Sequence, residues 1–364
     1  MSRATAMSLA LFATWMMIRT SLAQATRPTL TWDRATLRHA ADGGYARMVE
    51  LSDASVLLSY ESKGRSYVKR SEDQGLTWDE PVLAATYEFG SASNPHPLAL
   101  KDKVVWLFYN ERPRDGKHPF TIRLTISTDG GKTWTPRPEP LYVAGEKFVD
   151  GCWEPAAVQL ATDDIWLFFA NEGPYRTSDE QEITYMVCDG ENGKWSKPST
   201  ASFRRGHRDG MPVPLELLDG ALVVAIEDNG LTDDKQFKPA IVPIVDRRLA
   251  ASPPKNQSGR RPAIDGAWPK GVYAGAPYLC RMNPFGVVLS CQSDEDGKPP
   301  QMTVYTGDMR AQHFGSKTKP FPTDPGKAGQ WNSLFPMDHN TVTAISSTTV
   351  DGRSGVWLID GHFK

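Results

Sequence analysis

The sequence predicts an all-β protein, a six-bladed β-propeller built from four-stranded antiparallel blades. Two octads, SEDQGLTW at residues 71–78 and STDGGKTW at residues 127–134, carry Ser, Asp, Gly, Thr and Trp at the same offsets, which indicates an internal repeat. The chain also has 30 Gly, 28 Pro, 11 Trp and 11 Tyr. This composition favours short strands and tight turns, and no helical period runs through the chain.

Six strand–turn–strand units account for the six blades. Each unit opens on a strand near a Pro or Gly, crosses a polar turn, and continues into a strand of mostly β-branched and aromatic residues. Regular repetition of this kind is typical of radial β architectures. The six units occupy residues 43–61, 93–111, 152–172, 209–227, 275–293 and 331–347.

The segments around these units complete the ring. Residues 29–40 are expected to form the outer strand of the last blade and so to close the ring between the two ends of the chain. Each octad is expected at the turn between the third and fourth strands, where Ser and Asp bond turn amides, Gly adopts a positive φ and Trp packs between blades. Residues 188–195 (CDGENGKW) are a degenerate third copy, and residues 247–262 are a surface loop.

The octads resemble the Asp-box, or BNR repeat, of the sialidase-like propeller superfamily. The six units cover nearly all of residues 26–364, so the resemblance extends over the whole predicted domain. It implies the propeller fold, but it does not separate hydrolases from non-catalytic propellers, because both carry the motif.

The first 25 residues are predicted to be a cleaved signal peptide. Arg3 provides a positive charge, residues 7–18 (MSLALFATWMMI) are apolar, and residues 23–25 (AQA) form a small-x-small cleavage site. We therefore expect a secreted or periplasmic protein that does not contact the membrane after cleavage. Arg19, between the apolar run and the cleavage site, leaves an uncleaved anchor as the alternative.

Charge and motif content exclude several classes of partner. Lys and Arg total 41 against 43 for Asp and Glu, so no charge excess points to nucleic acid. The sequence contains no phosphate-binding loop, nucleotide fingerprint or metal-ligand spacing, so we expect no cofactor and no metal. We expect a monomer.

The four cysteines allow two interpretations. In an exported chain they could form two disulfides, with the connectivity open. Cys280 and Cys291 flank the turn NPFG at residues 283–286, so one interpretation is a bridge across this hairpin. The other interpretation is that Cys152, Cys188, Cys280 and Cys291 are all structural or free.

Functional residues are expected at one face of the ring. First-strand beginnings and second-strand ends from all six blades share that face and converge on a central cleft. These positions are rich in carboxylates, which supply acid, base or nucleophile, and in aromatic rings, which stack on sugars, so the predicted partner is a polysaccharide or oligosaccharide substrate. The predicted substrate-binding residues are Tyr45, Arg47, Asn94, His96, Trp153, Arg208, Asp209, Tyr278, Trp331 and Asn332.

Glu154 and Glu227 are the predicted catalytic pair. Glu154 opens its strand in WEP, and Glu227 ends its strand on the adjacent blade in VVAIE, after an apolar run. Two carboxylates placed in this way could approach the ~5–5.5 Å separation found in retaining glycosidases. The structural alternative is that each carboxylate only binds neighbouring backbone amides or an Arg.

The two glutamate motifs resemble glycoside hydrolase family 93, the exo-acting arabinanases. The shared pattern is WEP followed, further along the chain, by GMPV and VVAIE. The resemblance implies Glu154 as nucleophile and Glu227 as acid/base. It also implies a glycoside hydrolase that cleaves an arabinan-like or other neutral glycan by a retaining mechanism.

An exo-α-sialidase is the first rival. YARM at residues 45–48 resembles the FRIP element that binds the sialic acid carboxylate, with Arg47 in the position of the arginine. Arg208 and Arg281 could complete an arginine cluster, since guanidinium groups suit a carboxylate. The last unit, WNSLFPMDHN, has no Tyr where a sialidase nucleophile is expected.

Cleft charge separates these hypotheses further. The predicted cleft residues include more carboxylates than arginines, so we expect a negative field that disfavours an anionic sugar. A non-catalytic carbohydrate-binding propeller is the second alternative. Glu154 and Glu227 locked in ion pairs with Arg47 or Arg208 would favour it.

Overall fold

A computed structural model describes residues 28–145, 150–244 and 259–364. Within these ranges the regular secondary structure consists of β-strands, and the 25 strands form six antiparallel sheets. The predicted signal peptide at residues 1–25 and most of the predicted loop at residues 247–262 lie outside the described residues. Among the described residues, no helix is long and apolar enough to cross a membrane.

The chain builds five blades in order after β1 (Leu30–Ala41), which belongs to the last blade. Blade one consists of β2 (Gly44–Glu50), β3 (Val56–Ser62), β4 (Arg65–Ser71) and β5 (Val82–Ala85). Blade two consists of β6 (Gly90–Ala99), β7 (Val105–Pro113), β8 (Thr121–Ser127) and a divided outer strand, β9 (Thr135–Pro136) and β10 (Tyr142–Val143). Blade three consists of β11 (Cys152–Gln159), β12 (Ile165–Asn171), β13 (Glu182–Cys188) and β14 (Ser199–Ser202).

The remaining blades follow the same plan, so the predicted six-bladed propeller of four-stranded blades is confirmed. Blade four consists of β15 (Asp209–Glu216), β16 (Leu222–Asp228), β17 (Lys238–Ile244) and β18 (Arg261–Pro262). Blade five consists of β19 (Ala274–Met282), β20 (Gly286–Ser293), β21 (Gln301–Gly307) and β22 (Gly315–Thr318). Blade six consists of β23 (Gln330–Pro336), β24 (Thr341–Val350), β25 (Arg353–Phe363) and β1.

Apolar side chains between adjacent blades form the core. The second strand of blade three, β12, has the sequence IWLFFAN, and all of its residues are buried because neighbouring blades cover both of its faces. Its Trp166 and Phe168 pack with residues of blade four, such as Val224. Similar clusters join each of the other adjacent blades, so burial of apolar surface stabilises the ring at every interface.

The ends of the described chain close the ring as predicted. β1 pairs with β25, with Leu30 opposite Phe363 at the start of the ladder. Arg38 of β1 also forms an ion pair with Asp360 of β25 at 2.9 Å. The N-terminal strand is thus the outer strand of blade six, which ties the two ends of the propeller together.

The octads lie at the turns between the third and fourth strands of blades one and two. Ser71 Oγ accepts the N–H of Gly75 at 2.7 Å, and Asp73 Oδ1 accepts the N–H of Thr77 at 2.8 Å. The second octad repeats both bonds at 2.8 Å and 2.9 Å. Trp78 packs on the cluster between blades six and one. These contacts agree with the predicted folding role of the octads.

The cysteines are free and buried. Cys280 lies opposite Val288 in its hairpin, and Cys291 lies opposite Thr303 in the next one. The hypothesis of a bridge between Cys280 and Cys291 is therefore wrong, because the hairpin register separates the two residues.

Candidate active site

Every inner strand carries a β-bulge near its start. In blade three the pairing of β11 with β12 shifts register between Trp153 and Ala156, and Glu154 has a φ of 56°. This left-handed conformation costs an L-residue about 1–2 kcal/mol, so the surrounding sheet must impose it. The bulge residues of blades one to six are Tyr45, Asn94, Glu154, Met211, Ala276 and Trp331.

The bulge residues converge on the propeller axis. Tyr45, Met211 and Ala276 come from blades one, four and five, yet they form one buried cluster. Their contact closes the centre of the ring. The remaining bulge residues surround this centre, so the bulge determines which side chain of each inner strand can face a bound molecule.

In four of the six blades, the end of the second strand reaches the bulge residue of the following blade. A side-chain oxygen at this end accepts the bulge residue's backbone N–H, and we call this contact an inter-blade clasp. The four described clasps join Glu61 to Asn94 (3.4 Å), Glu227 to Ala276 (2.8 Å), Gln292 to Trp331 (3.0 Å) and Ser347 to Tyr45 (3.1 Å).

Glu154 replaces the clasp in blade three. The equivalent second-strand position there is Ala170, which has no side-chain acceptor, and Glu154 Oε2 accepts the N–H of Met211 at 3.2 Å. Burial raises the pKa of Glu154, while Arg112, the Met211 N–H and Arg47 oppose that rise. Among the described residues Glu154 forms no ion pair within 4.0 Å. Its ionised form is stabilised by the Met211 N–H and by more distant arginines, Arg112 above all.

Glu227 lies in a narrow space between two glycines. A Cβ atom at Gly210 would lie 2.9 Å from Glu227 Oε1, and one at Gly275 would lie 2.6 Å from Glu227 Oε2. Burial, followed by the nearby Glu154 carboxylate, raises the pKa of Glu227 to about 8. The raised pKa favours the protonated form of Glu227 near neutral pH. Glu227 keeps partial solvent contact, which an acid/base group needs.

The two carboxyl groups have different surroundings, although burial raises the pKa of both. Arg112 favours the ionised form of Glu154, whereas Glu154 itself favours the protonated form of Glu227. Paired carboxyl groups whose environments separate their pKa values are the usual arrangement for a nucleophile beside a general acid. Neither of the ion pairs expected of a non-catalytic propeller, to Arg47 or Arg208, is present among the described residues.

An open cleft of about 320 Å³ lies beside Glu154. Its charged residues are Glu61, Lys63, Arg112 and Glu154, so two carboxylates face two cations. The predicted negative field is therefore wrong for this cleft, because Lys63 and Arg112 were not among the predicted cleft residues. The other lining residues are Gly43, Gly44, Tyr45, Ser62, Asn94 and Trp331.

Tyr45, Asn94 and Trp331 line the cleft as predicted. Trp331 leaves 39% of its surface exposed, and its ring is tilted against Tyr45 with the centroids 6.2 Å apart. Asn94 Oδ1 accepts a hydrogen bond from Arg112. An exposed indole beside a polar floor is a suitable surface for the apolar face of a sugar ring.

Asp209 is not at the cleft, which corrects the prediction. Its side chain is fully buried and forms ion pairs with Arg260, which also binds Asp228 at 2.6 Å. Burial raises the pKa of Asp209 to about 6, and Arg260 opposes that rise. Asp209 and Asp228 therefore hold blade four together, and they do not contribute to the cleft.

Three further predicted binding residues point into blade interfaces. His96 is buried and contacts the Ala157 carbonyl through Nε2 at 3.1 Å, and burial lowers its pKa to about 4. Trp153 packs on Phe120 with centroids 4.7 Å apart. Asn332 is only 1% exposed. These three residues support the site from within the sheets and do not line the cleft.

The arginines expected in a sialidase do not converge. Arg47 is 3% exposed and lies between the rings of Tyr45 and Tyr278, at 4.1 Å and 5.1 Å from their centroids. Arg208 binds Glu172, and Arg281 donates to a carbonyl of blade four at the opposite face. Arg47 and Tyr278 thus lie beneath the cleft floor, and the expected three-arginine anion site is absent among the described residues.

Arg112 is the main site residue that the sequence did not reveal. It lies next to Glu111 at the end of β7, one residue beyond the predicted position. Its guanidinium group lies 4.8 Å above the ring of Trp153 and is the strongest cationic influence on Glu154. The prediction took the last residue of each second strand as facing the cleft, and including the next residue as well would have found Arg112. Glu111 itself accepts a hydrogen bond from Thr121 instead.

The described residues contain no group of three or more His, Cys, Asp or Glu side chains that could hold a metal ion.

Comparison with solved structures identifies the fold. An α-L-arabinanase of Penicillium chrysogenum, complexed with arabinobiose, is 17% identical with a TM-score of 0.67, over 92% of this chain and 97% of that one. The GH93 α-L-arabinofuranosidase of Fusarium graminearum with arabinobiose is 19% identical with a TM-score of 0.66, at the same coverage. No protein-family model and no curated protein matches the sequence.

A sialidase has the same fold. The Hadza microbial sialidase is 12% identical with a TM-score of 0.62, over 89% of this chain and 66% of that one. At these identities the likeness establishes the fold. The predicted six-bladed propeller fold is thereby confirmed as one that this sialidase and the arabinan-degrading enzymes share, and the latter are similar to this chain over 92% of its length.

Proposed function

We propose that this protein is a glycoside hydrolase that cleaves an arabinan-like or other neutral glycan by a retaining mechanism. One observation carries the proposal: Glu154, which lines the cleft, and the neighbouring Glu227 interact electrostatically and form no ion pairs among the described residues, and the pKa of Glu227 is raised to about 8. The solved arabinobiose complexes of similarly folded enzymes support the choice of sugar.

Glu154 acts as the nucleophile. Its ionised carboxylate attacks the anomeric carbon while Glu227 donates a proton to the departing glycosidic oxygen, so a covalent glycosyl–enzyme ester forms and the leaving alcohol departs neutral. Glu227, now ionised, removes a proton from water, and the resulting hydroxide attacks the same carbon. The ester breaks, Glu154 is released as a carboxylate, and the configuration is retained.

The cleft walls position the sugar. Trp331 offers an exposed ring face, and Arg112 and Asn94 present hydrogen-bonding groups beside Glu154. Equal numbers of carboxylates and cations along the cleft give no net charge for an anionic sugar to recognise. This pattern fits a neutral pentose or hexose better than a sialoside, whose carboxylate calls for converging arginines.

A non-catalytic carbohydrate-binding role is the second candidate, and the clasps favour it. Glu227 lies at the same position as Gln292 and Ser347, and all three bind the amide of the following bulge residue. A purely structural Glu227 would need only an acceptor oxygen. Replacing Glu227 by Gln therefore separates the two roles, because Gln keeps that oxygen.

Hydrolysis by Glu154→Gln and Glu227→Gln tests the proposal on an arabinan and on an aryl arabinofuranoside. We expect a loss of roughly 10²–10⁴-fold in each variant, the usual contribution of a positioned acid or base. Glu216→Gln is the matched control, because Glu216 also accepts a backbone amide from the adjacent blade, that of Ala161, at the opposite face. Activity of both cleft variants within a few-fold of the control would contradict the proposal.

We also propose that the protein is exported as a monomer. The n-region, apolar run and cleavage site of residues 1–25 support export. N-terminal sequencing of protein recovered from the periplasm or the medium should begin at Thr26. Recovery of the intact first 25 residues in a membrane fraction would instead support the anchor.

A further inference from the structure

A second groove runs outward from the cleft between blades six and one. Its volume is about 590 Å³, larger than that of the cleft itself. Ser62 and Lys63, at the end of β3 and in the following turn, line both spaces, so the groove begins at the rim of the cleft. From there it passes β1 and descends toward the first octad, where Leu76 and Trp78 line it.

Aromatic rings form one wall of this groove. Tyr60 and Tyr67 are directly opposite each other on β3 and β4, and their rings stack with centroids 5.8 Å apart. Trp78 lies further along, and Leu76 beside it is 67% exposed. A row of rings next to a sugar-binding cleft offers stacking surfaces to further residues of the same chain.

The other groups of the groove are mostly cationic. Lys63 is exposed, and Lys69 donates to the Ala40 carbonyl at 3.1 Å and forms no ion pair with a carboxylate of the described residues. Arg353 is 59% exposed and lies 3.6 Å from the 83% exposed Asp42, a pair too open to cancel much charge. Three cations therefore face one carboxylate.

His39 does not change this balance. Its Nε2 lies 3.3 Å from Asp42, but burial and the nearby Arg353 lower its pKa, so the ring is neutral at neutral pH. Lys63 lines both spaces; with Lys63 counted in the balanced cleft, Lys69 and Arg353 still outnumber Asp42 in the groove by one positive charge. This difference indicates that two neighbouring parts of one ligand differ in charge.

We propose that the groove binds a carboxylate-bearing segment of the polysaccharide whose neutral part enters the cleft. The proposal rests on the proposed function for the identity of the ligand as a glycan. Lys69 and Arg353 bind sugar carboxylates, and the partly exposed rings of Tyr67 and Trp78 carry the sugar rings, while Tyr60, which is 5% exposed, packs behind Tyr67. The substrate is then a mixed polymer, with neutral residues next to acidic ones.

Calorimetric binding to full-length Glu154→Gln protein tests this inference without hydrolysis. The probes are an oligogalacturonate, a neutral arabino-oligosaccharide of equal length and a sulfated oligosaccharide of equal charge. We expect Lys69→Gln with Arg353→Gln to weaken oligogalacturonate binding at least tenfold, and added salt to weaken it in the parent. Lys132→Gln, an exposed lysine in the second octad, is the control and should leave the binding constant unchanged.

The outcomes separate this inference from the proposed function. Two results would overturn the inference even if neutral glycans are hydrolysed. The groove variants could bind oligogalacturonate as tightly as the parent does, or the parent could bind oligogalacturonate no more tightly than it binds the neutral probe. Tighter binding of the sulfated probe would also overturn it. Groove-dependent oligogalacturonate binding by a protein that hydrolyses no glycan would support the inference and contradict the proposed function.

Discussion

Two pairs of carboxyl groups lie close together in blades three and four, and they differ in the groups that bind them. Asp209 and Asp228 are fully buried and share Arg260. Glu227, the direct neighbour of Asp228 in sequence, has a backbone amide and the Glu154 carboxylate instead. A guanidinium partner fixes a carboxylate as an ion, whereas amides and a second carboxylate leave a proton that can move. Among the described residues, the two glutamates thus differ from the two aspartates in having no cation within ion-pair distance.

Two substitutions of Glu227 distinguish proton donation from the hydrogen bond that Glu227 accepts from the Ala276 N–H. Glu227→Gln and Glu227→Ala should both lose roughly 10²–10⁴-fold in hydrolysis, because neither can donate a proton. Only Glu227→Ala should also lose about 1–3 kcal/mol of unfolding free energy, because the Ala276 N–H is left unpaired. Kinetics and urea denaturation of both variants check this. Equal stability losses would show that the clasp contributes nothing.

The second prediction concerns the structural pair. Arg260→Met leaves the buried Asp209 without a cation and Asp228 with Arg204 alone, at 3.1 Å, which should cost about 3–5 kcal/mol of unfolding free energy. Urea denaturation measures the loss. Adding Asp209→Asn and Asp228→Asn should recover much of it, because the buried charges are then removed. A loss below about 1 kcal/mol would mean that the ion pairs do not stabilise blade four.

The third prediction is a pH profile. The raised pKa of Glu227 keeps its proton up to about pH 8, so kcat/KM should fall above that pH, approaching tenfold per unit. The acidic limb should follow protonation of Glu154. On an aryl glycoside with a good leaving group, Glu227→Gln should keep some activity without the alkaline limb. An alkaline limb that persists in this variant would assign it to another residue.

The smallest expected effect is on the sugar platform. Trp331→Ala should raise KM about two- to tenfold with kcat little changed, since an aromatic stacking contact contributes about 0.5–1.5 kcal/mol. Trp331→Phe should recover most of this loss. Steady-state kinetics on an arabino-oligosaccharide measure both. A fall in kcat alone would indicate that Trp331 orders the cleft and does not bind the sugar.

The sequence was sufficient for the repeat, the blade order and the position of both glutamates. Strand direction alone places Glu154 and Glu227 at one face, and the apolar run before Glu227 marks the end of a buried strand. It was insufficient for Asp209, because Arg260 arrives from a distant segment that pattern reading cannot dock. His96 and Asn332 were misplaced because the bulge at Asn94 and Trp331 redirects the residues that follow.

The proposed mechanism depends on Glu227 carrying a proton near neutral pH. Carboxyl ¹³C NMR titration of Glu-labelled protein measures the pKa of this group most directly. The signal that disappears in Glu227→Gln identifies the group. We predict that it titrates near pH 8 in the wild type and at clearly lower pH in Glu154→Gln, because that change removes the neighbouring negative charge. Titration in the ordinary glutamate range in the wild type, with no shift in Glu154→Gln, would contradict the assignment of these two residues as an acid and a nucleophile.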